Sequence, residues 1–439
     1  MELIKSKELF DRARQSVPGG VHSNSRYRKP HPVYFQKAEG AYLTDVDGNR
    51  YIDCIMGNGA IILGHNDPDF NERINFYNTT GIVTGVETVL SINAAEKFLS
   101  LVPTVEQIRY TNTGTEAIMH AMSMARIHSG KTDIAVIEGA YNGWHDAVQV
   151  STWPDLQKAG EKSAPISLPG AAGLIESVTK STLVLPFNDL ETAERLLTEN
   201  KHRIAALIIE PTMIDIGYIP AKKEYLQGLR RLCKQLNIVL VFDELLTGFR
   251  DSPGGAQGHY GVTPDLSTFG KAISNGYMLA AVAGKASIFE TVTPGIGPGS
   301  FVGTYNGHQV SMAASMAFME IYEEKQVFQT LQNRTEKLIA EFDKLAEKHQ
   351  IKAKMQGRGG HFHWYFTDRE VVDYRSAAKS DKAKYAAFIQ TLSANGVYCS
   401  PNFLLHHAVS LAHTDIVIER LIAYMDESLR QAVGITAGS

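Results

Sequence analysis

The sequence predicts an α/β protein: a large domain built on a mostly parallel sheet, followed by a smaller α+β lobe. Three observations lead there. Between about residues 90 and 290, short apolar runs alternate with amphipathic helical stretches. Beyond about residue 350 the pattern changes to a mixture of strand and helix. The 439 residues also exceed one ordinary domain and leave room for a sizeable core plus a lobe.

Residues 1–60 read as a short helix, a Gly19-Gly20 turn and two strands. Val33–Gln36 and Ala41–Thr44 alternate apolar and polar residues, and Asp47-Gly48 is a hairpin-type turn. The apolar runs that follow are Gln107–Tyr110, Ile134–Ile137, Ile204–Ile209, Ile238–Phe242 and Leu266–Phe269. Runs without polar alternation suit strands covered on both faces. The helices between them include Glu116–Ile127, Leu190–Glu199 and Lys223–Leu236. Pro154–Gly173, rich in Pro, Gly, Ala and Ser, reads as a long loop of the kind that serves as a lid. Residues 310–345 read as a long helical connection, His361–Phe366 as a strand and Asp415–Arg430 as an amphipathic helix. The expected units are an N-terminal segment (1–60) joining the small lobe, a large α/β domain (61–310), and a linking helix with the small domain (311–439).

Composition narrows the classes of function. Hydrophobic content of 44% and charged content of 21% are ordinary for a soluble globular chain. A formal net charge of −4 gives no reason to expect nucleic acid or an anionic membrane as partner. Cys54, Cys233 and Cys399 are far apart, with no CxxC or Cys/His cluster, so neither a metal site nor a disulfide framework is expected. The N-terminus lacks the apolar stretch of a signal peptide, and no run approaches the ~18 apolar residues that span a bilayer. The expectation is a cytoplasmic protein with reduced thiols.

Open parallel sheets bind ligands beyond the carboxyl ends of their strands, so the polar residues just after each run matter most. Thr113-Gly114-Thr115-Glu116 follows the first run and opens a helix. Thr113 and Glu116 have capping-box spacing, and free N–H groups at a helix start suit a phosphate. The plainer reading is a helix cap alone. Tyr141 follows the second run and either stacks on a planar group or packs beside a turn. Asp243 ends the fourth run and either faces a ligand or caps the next loop. Lys271 follows the fifth run and is either an imine-forming nucleophile or a solvated loop lysine. No G-x-G-x-x-G or P-loop lysine follows a strand, which sets aside a nucleotide-binding protein. Taken together, a phosphate-binding helix start, a stacking aromatic, a carboxylate for a ring nitrogen and an imine-forming lysine are what pyridoxal phosphate (PLP) requires.

The wider set of motifs resembles the class III aminotransferases of PLP fold type I, and among them the glutamate-1-semialdehyde aminomutase subgroup. It runs from Val17-Pro18-Gly19-Gly20-Val21 to about Leu429. It includes Asp45-Val46-Asp47-Gly48-Asn49, Leu63-Gly64-His65, Asn112-Thr113-Gly114-Thr115-Glu116-Ala117, Glu210-Pro211, Phe242-Asp243-Glu244 through Gly248-Phe249-Arg250, Pro264-Asp265-Leu266 and Gly270-Lys271. The resemblance implies a mixed, mostly parallel seven-stranded sheet and a homodimer with shared active sites. It implies Lys271 as the Schiff-base lysine, Asp243 on the pyridine nitrogen, Tyr141 on the ring, and Thr113, Gly114 and Thr115 on the phosphate. Gly303 and Thr304 match the position that reaches the neighbouring subunit's phosphate, and Asn142, Glu210 and Asp215 fall beside the cofactor. Ser23 and Arg26 match positions near a substrate carboxylate, although Arg26 also reads as a surface residue of a basic stretch. Asn58, Trp144, His145 and residues of Asn402–His407 are the remaining substrate-pocket candidates.

The departures from the aminomutase pattern lie around the substrate. Leu405 stands where a glutamate is usual, and Asn58 where a tryptophan is. Asp215 replaces an Asn or Gln that touches the cofactor's ring oxygen. An ionised carboxylate there would repel that oxygen, so Asp215 turns away, or is protonated, or the correspondence shifts by a few positions. The expected activity is ping-pong transamination between an amino donor and a carbonyl acceptor. The alternatives are an aminomutase or racemase/epimerase reaction on the same scaffold, and a PLP-binding protein without turnover.

Overall fold

Seven strands form the central sheet of the computed structural model, which describes residues 3–79, 81 and 84–433. They are β1 (Gln107–Thr111), β2 (Asp133–Ile137), β3 (Thr182–Leu185), β4 (Ile204–Ile209), β5 (Val239–Glu244), β6 (Leu266–Gly270) and β7 (Ala280–Gly284). Their order across the sheet is β1-β7-β6-β5-β4-β2-β3. Strand β7 runs antiparallel to both neighbours, and the pairings from β6 to β3 are all parallel. The mixed, mostly parallel sheet is therefore present.

Every residue of β4, β5, β6 and β7 is buried, as expected where helices cover both faces. Alternate residues point to opposite sides. Ala206, Ile208, Val239 and Val241 pack with Ala117, Ala121 and Met122 of the Gly114–Ser129 helix. Leu207, Ile209, Leu240 and Phe242 pack with Leu226, Leu229 and Cys233 of the Lys223–Leu236 helix.

Two strands were not foreseen. Strand β3 is four residues at the sheet edge, and β7 reads Ala-Ala-Val-Ala-Gly, a composition that carries little strand signal. Small residues are required in β7 because helices press on both sides. Ala280 and Val282 join the Gly114–Ser129 cluster, whereas Ala281 and Ala283 meet Met312 and Phe318 of the Gln309–Glu324 helix. The expected helical connection is two helices, Gln309–Glu324 and Val327–Lys348, separated at Gln326, whose φ is 46°.

Outside the main sheet, Tyr42–Asp45 and Arg50–Asp53 form a hairpin around Asp47-Gly48. Asp45 holds the turn by accepting bonds from the backbone N–H of Asp47 and Asn49. Arg50–Asp53 also pairs with Val397–Tyr398, which ties the N-terminal segment to the C-terminal part of the chain. The segment expected as a lid is pinned. It contains a short hairpin, and Ser151 and Gly170 donate backbone bonds to Leu168 and Gln149 across its base. Lys162, at its tip, pairs with Asp373 at 2.7 Å. Among the described residues no helix is long and apolar enough to cross a membrane.

Candidate active site

The carboxyl ends of β1, β2, β4, β5 and β6 converge on one region. After β1, Thr113 caps the Gly114–Ser129 helix by accepting from Glu116 N–H at 3.2 Å. The expected capping box is not closed. Glu116 turns its carboxylate to Asn112 instead, accepting from the backbone N–H at 2.8 Å and from the side-chain amide at 3.2 Å. The first N–H groups of the helix, at Gly114 and Thr115, have no acceptor within the helix and carry the positive end of its dipole.

After β2 the chain turns through Tyr141-Asn142-Gly143-Trp144. Trp144 N–H donates to Thr115 Oγ1 at 3.0 Å. Gly143 has φ +97°, and a Cβ there would lie 3.0 Å from Thr115 Oγ1 and 3.1 Å from Thr115 Cα. Only glycine lets this turn cross the helix start so closely. At the end of β5, buried Asp243 accepts from Asn142 Nδ2 at 2.8 Å and from Leu245 N–H at 3.1 Å. Lys271 begins the short turn after β6 with φ 49°, a left-handed conformation that costs a non-glycine residue ~1–3 kcal/mol. Just before it, Gly270 makes room for Leu245, since a Cβ there would sit 2.6 Å from Leu245 Cδ2.

Two adjoining cavities result. The first, about 260 Å³, is lined by Gly114, Thr115, Gly143, Glu210, Asp243 and Leu246, among others. The second, about 460 Å³, is walled by Trp144, Trp153, Leu405 and His406, with Ser23, Asn58 and Arg28 also on its lining. Tyr141, Asp215 and Lys271 line both and mark the junction. The Tyr141 ring lies nearly parallel to Trp153, at 17° and 6.2 Å between centroids.

The electrostatics of the junction are set by burial. Burial, with repulsion from Asp215 and Asp243, pushes the Glu210 carboxyl well above its usual range, and its Oε2 has no hydrogen-bond partner among the described residues. Burial also raises Asp243, against its Asn142 and Leu245 bonds and the Lys271 charge. Burial works to raise Asp215 too, but contact with His406 and the charge of Lys271 outweigh it and hold that carboxyl low. The Asp215 carboxylate lies on the wall of both cavities, with its pKa held below the usual carboxylate range.

Several expected residues stand elsewhere. Thr113 is exposed and lines neither cavity, because its hydroxyl serves the cap. Asn142 is buried behind Asp243 and orients that carboxylate. His145 accepts from the Ala147 N–H at 3.2 Å and is not on either lining. Arg26 is exposed and off both linings, and Arg28 takes the place expected for it. Gly303 and Thr304, expected to reach a neighbouring subunit rather than this chain's own site, are exposed and line neither cavity.

Trp153, Gln149, Thr152 and Leu246, which no local pattern singles out, also line the site. In Arg26-Tyr27-Arg28-Lys29 nothing local tells which arginine turns inward. Arg28 is half-buried, its guanidinium stacks on the Tyr398 ring at 4.1 Å, and no carboxylate among the described residues pairs with it. His406 is more buried, and it meets the ring of buried His361 edge-on at 4.9 Å between centroids.

A family model described as aminotransferase class III matches residues 23–433. The chain belongs to the class III aminotransferase family. Among its relatives, glutamate-1-semialdehyde 2,1-aminomutase of Methanocaldococcus jannaschii is 36% identical over 428 residues, 97% of this chain and 98% of that one. An omega-transaminase from Sphaerobacter thermophilus superposes with a TM-score of 0.93 at 32% identity, covering 98% of each chain. A β-phenylalanine aminotransferase from Variovorax paradoxus gives 0.86 at 28% identity, covering 97% of this chain and 93% of that one. The cofactor of this class III enzyme is pyridoxal 5′-phosphate, and the residues present suit it. The smaller cavity offers a helix N-terminus for an anionic phosphate, a buried carboxylate for a basic ring nitrogen, and a lysine at its junction with the larger one. Among the described residues no group of His, Cys, Asp and Glu is placed to hold a metal.

Proposed function

We propose that the protein is a transaminase whose amino donor has an aromatic or apolar body and a single carboxylate, a β- or aryl-amino acid being the best fit. The observation that carries this is the larger cavity. Tyr141, Trp144 and Trp153 give it aromatic walls, Arg28 brings one guanidinium with no carboxylate partner among the described residues, and Leu405 replaces the glutamate of the aminomutase pattern. Arg28, already fixed against Tyr398, is suited to clamp a carboxylate in a two-pronged way.

In this reading the Gly114 and Thr115 N–H groups hold the phosphate, and the Thr115 hydroxyl, which accepts from Trp144, keeps its own proton to donate. Asp243, oriented by Asn142 and Leu245, holds the proton on the ring nitrogen. Tyr141 covers one face of the ring. The bound cofactor supplies an electron sink for the substrate carbon that bears the amine. Lys271 carries the cofactor at rest; once freed, its Nζ takes the proton from that carbon and returns it elsewhere, as base and then acid. Gly303 and Thr304, exposed and matching the position that reaches a neighbouring subunit's phosphate, support a homodimer as the working form; a cytoplasmic location remains part of the reading from the sequence.

The test is the absorbance spectrum of the purified protein with PLP, before and after adding single amines and amino acids. Conversion to the aminated cofactor with a β- or aryl-amino acid supports the reading. The relatives named as aminomutases favour a second reading, intramolecular amino exchange. It requires turnover of one substrate without any acceptor. No cofactor band would overturn both.

A further inference from the structure

The smaller and larger cavities meet at three residues, and the role of one, Asp215, is still open. Its side chain is 17% exposed, with Oδ1 3.6 Å from His406 Nδ1, within ion-pair range and too long for a direct hydrogen bond. His406 is itself only 3% exposed in its side chain, and among the described residues neither of its ring nitrogens has a hydrogen-bond partner. The Trp153 indole donates to the Asp215 carbonyl at 3.2 Å, which fixes the backbone at this point. We propose that Asp215, steadied by His406, is a positioning residue that acts as a fixed counter-charge to the Lys271 nitrogen and keeps a proton on it where the two cavities meet.

The other ionisable groups around Lys271 are occupied or neutral. Asp243 is engaged by Asn142 and Leu245 and faces the cofactor's ring nitrogen in the proposed function. The Glu210 carboxyl is pushed well above its usual range by burial and by its acidic neighbours. The Tyr141 phenol is held neutral by burial and by Asp215 and Asp243. His361, which faces Lys271 from the C-terminal part of the chain, is kept neutral by burial and by Arg250 behind it. Asp215 is the carboxylate left on the junction wall without a strong hydrogen-bond donor of its own. A neutral amide there, as in the family pattern, would bond the cofactor's ring oxygen. A carboxylate instead draws positive charge: His406 stands 3.6 Å from it, and the Lys271 nitrogen shares with it the lining of both cavities. The consequence is a resting enzyme that stays in its protonated, reactive form to higher pH than an amide at this position would allow.

The inference rests on Lys271 being the cofactor lysine, and the test separates the two. The PLP-loaded protein is titrated from acid to alkaline pH, and the midpoint of its visible absorption change is read. Asp215→Asn is expected to lower that midpoint by about one pH unit or more, and Asp215→Glu to restore most of it. An unmoved midpoint in Asp215→Asn overturns the proposal. If that variant does not load cofactor, the cofactor-free proteins are treated at one fixed pH with trinitrobenzenesulfonate, and modification of Lys271 is followed by mass spectrometry. Several-fold faster modification in Asp215→Asn supports the proposal, and equal rates overturn it. A Lys271→Ala protein that retains the lysine-linked band would sink the proposed function instead, whatever Asp215 does.

Discussion

Gly143→Ala puts the phosphate cradle to a direct test. The residue has φ +97°, and a non-glycine residue held there is strained by ~1–3 kcal/mol. The added Cβ also meets Thr115, with Oγ1 at 3.0 Å and Cα at 3.1 Å. The Cα belongs to the start of a 16-residue helix and cannot give way cheaply, so the crowding costs a further ~1 kcal/mol or more. The chain relieves this by swinging the Tyr141–Trp144 turn away from the helix start, which stretches the Trp144 to Thr115 bond and opens the cradle. Cofactor binding must then pull the turn back. At 1.4 kcal/mol per tenfold, even half of that strain weakens PLP about 5- to 30-fold. The assay is a PLP titration of cofactor-free protein, followed by absorbance. Gly130→Ala is the control. It also substitutes a positive φ, +70°, but has nothing within 4 Å of the new Cβ and lies at the far end of the same helix. It should cost stability and leave PLP affinity alone. A Gly143→Ala protein that binds PLP within about threefold of the parent would refute the cradle as drawn.

Other substitutions read different parts of the site. Lys271→Ala should abolish turnover while PLP stays bound through its phosphate and ring contacts; full activity would remove Lys271 from its role. Arg28→Ala should raise KM about tenfold or more for carboxylate-bearing donors and barely alter simple aryl amines, whereas Arg26→Ala should do neither. Equal losses on both donor classes would show that Arg28 does not read the carboxylate. Arg250 is fully buried, and among the described residues no carboxylate pairs with it. It donates to the carbonyl of Gly59 at 2.8 and 3.1 Å and to those of Gly359 and Val409 at 3.3 and 3.4 Å. Because Arg250 joins the Asn58 loop to the C-terminal strands, Arg250→Met should destabilise by about 3 kcal/mol, seen as a lower urea midpoint. A midpoint equal to the parent's would mean those carbonyls are as well satisfied without it.

Much of the fold could be read from local pattern. Runs such as Ile204–Ile209 are apolar throughout because both faces of the sheet are covered, and that leaves an unbroken signature in one segment of chain. The positions of Asp243 and Lys271 followed from the same signature, since each lies where an apolar run ends. Strand β7 left no such mark. Its alanines are set by helices that begin at Gly114 and Gln309, and neither is near it in sequence.

What the sequence by itself determined is the kind of chemistry. The order of apolar runs and the residue type at each carboxyl end already place a helix start suited to a phosphate, an acid and a lysine at the ends of successive strands. Which side chains complete the pocket was decided only by tertiary structure. Arg28 rather than Arg26 lines it because Tyr398, far along the chain, offers a ring to stack on. The Asp215 carboxyl is held low by contact with His406 and by the charge of Lys271, which come from two other segments. The charge and orientation of such groups depend on neighbours that meet only when the chain has folded.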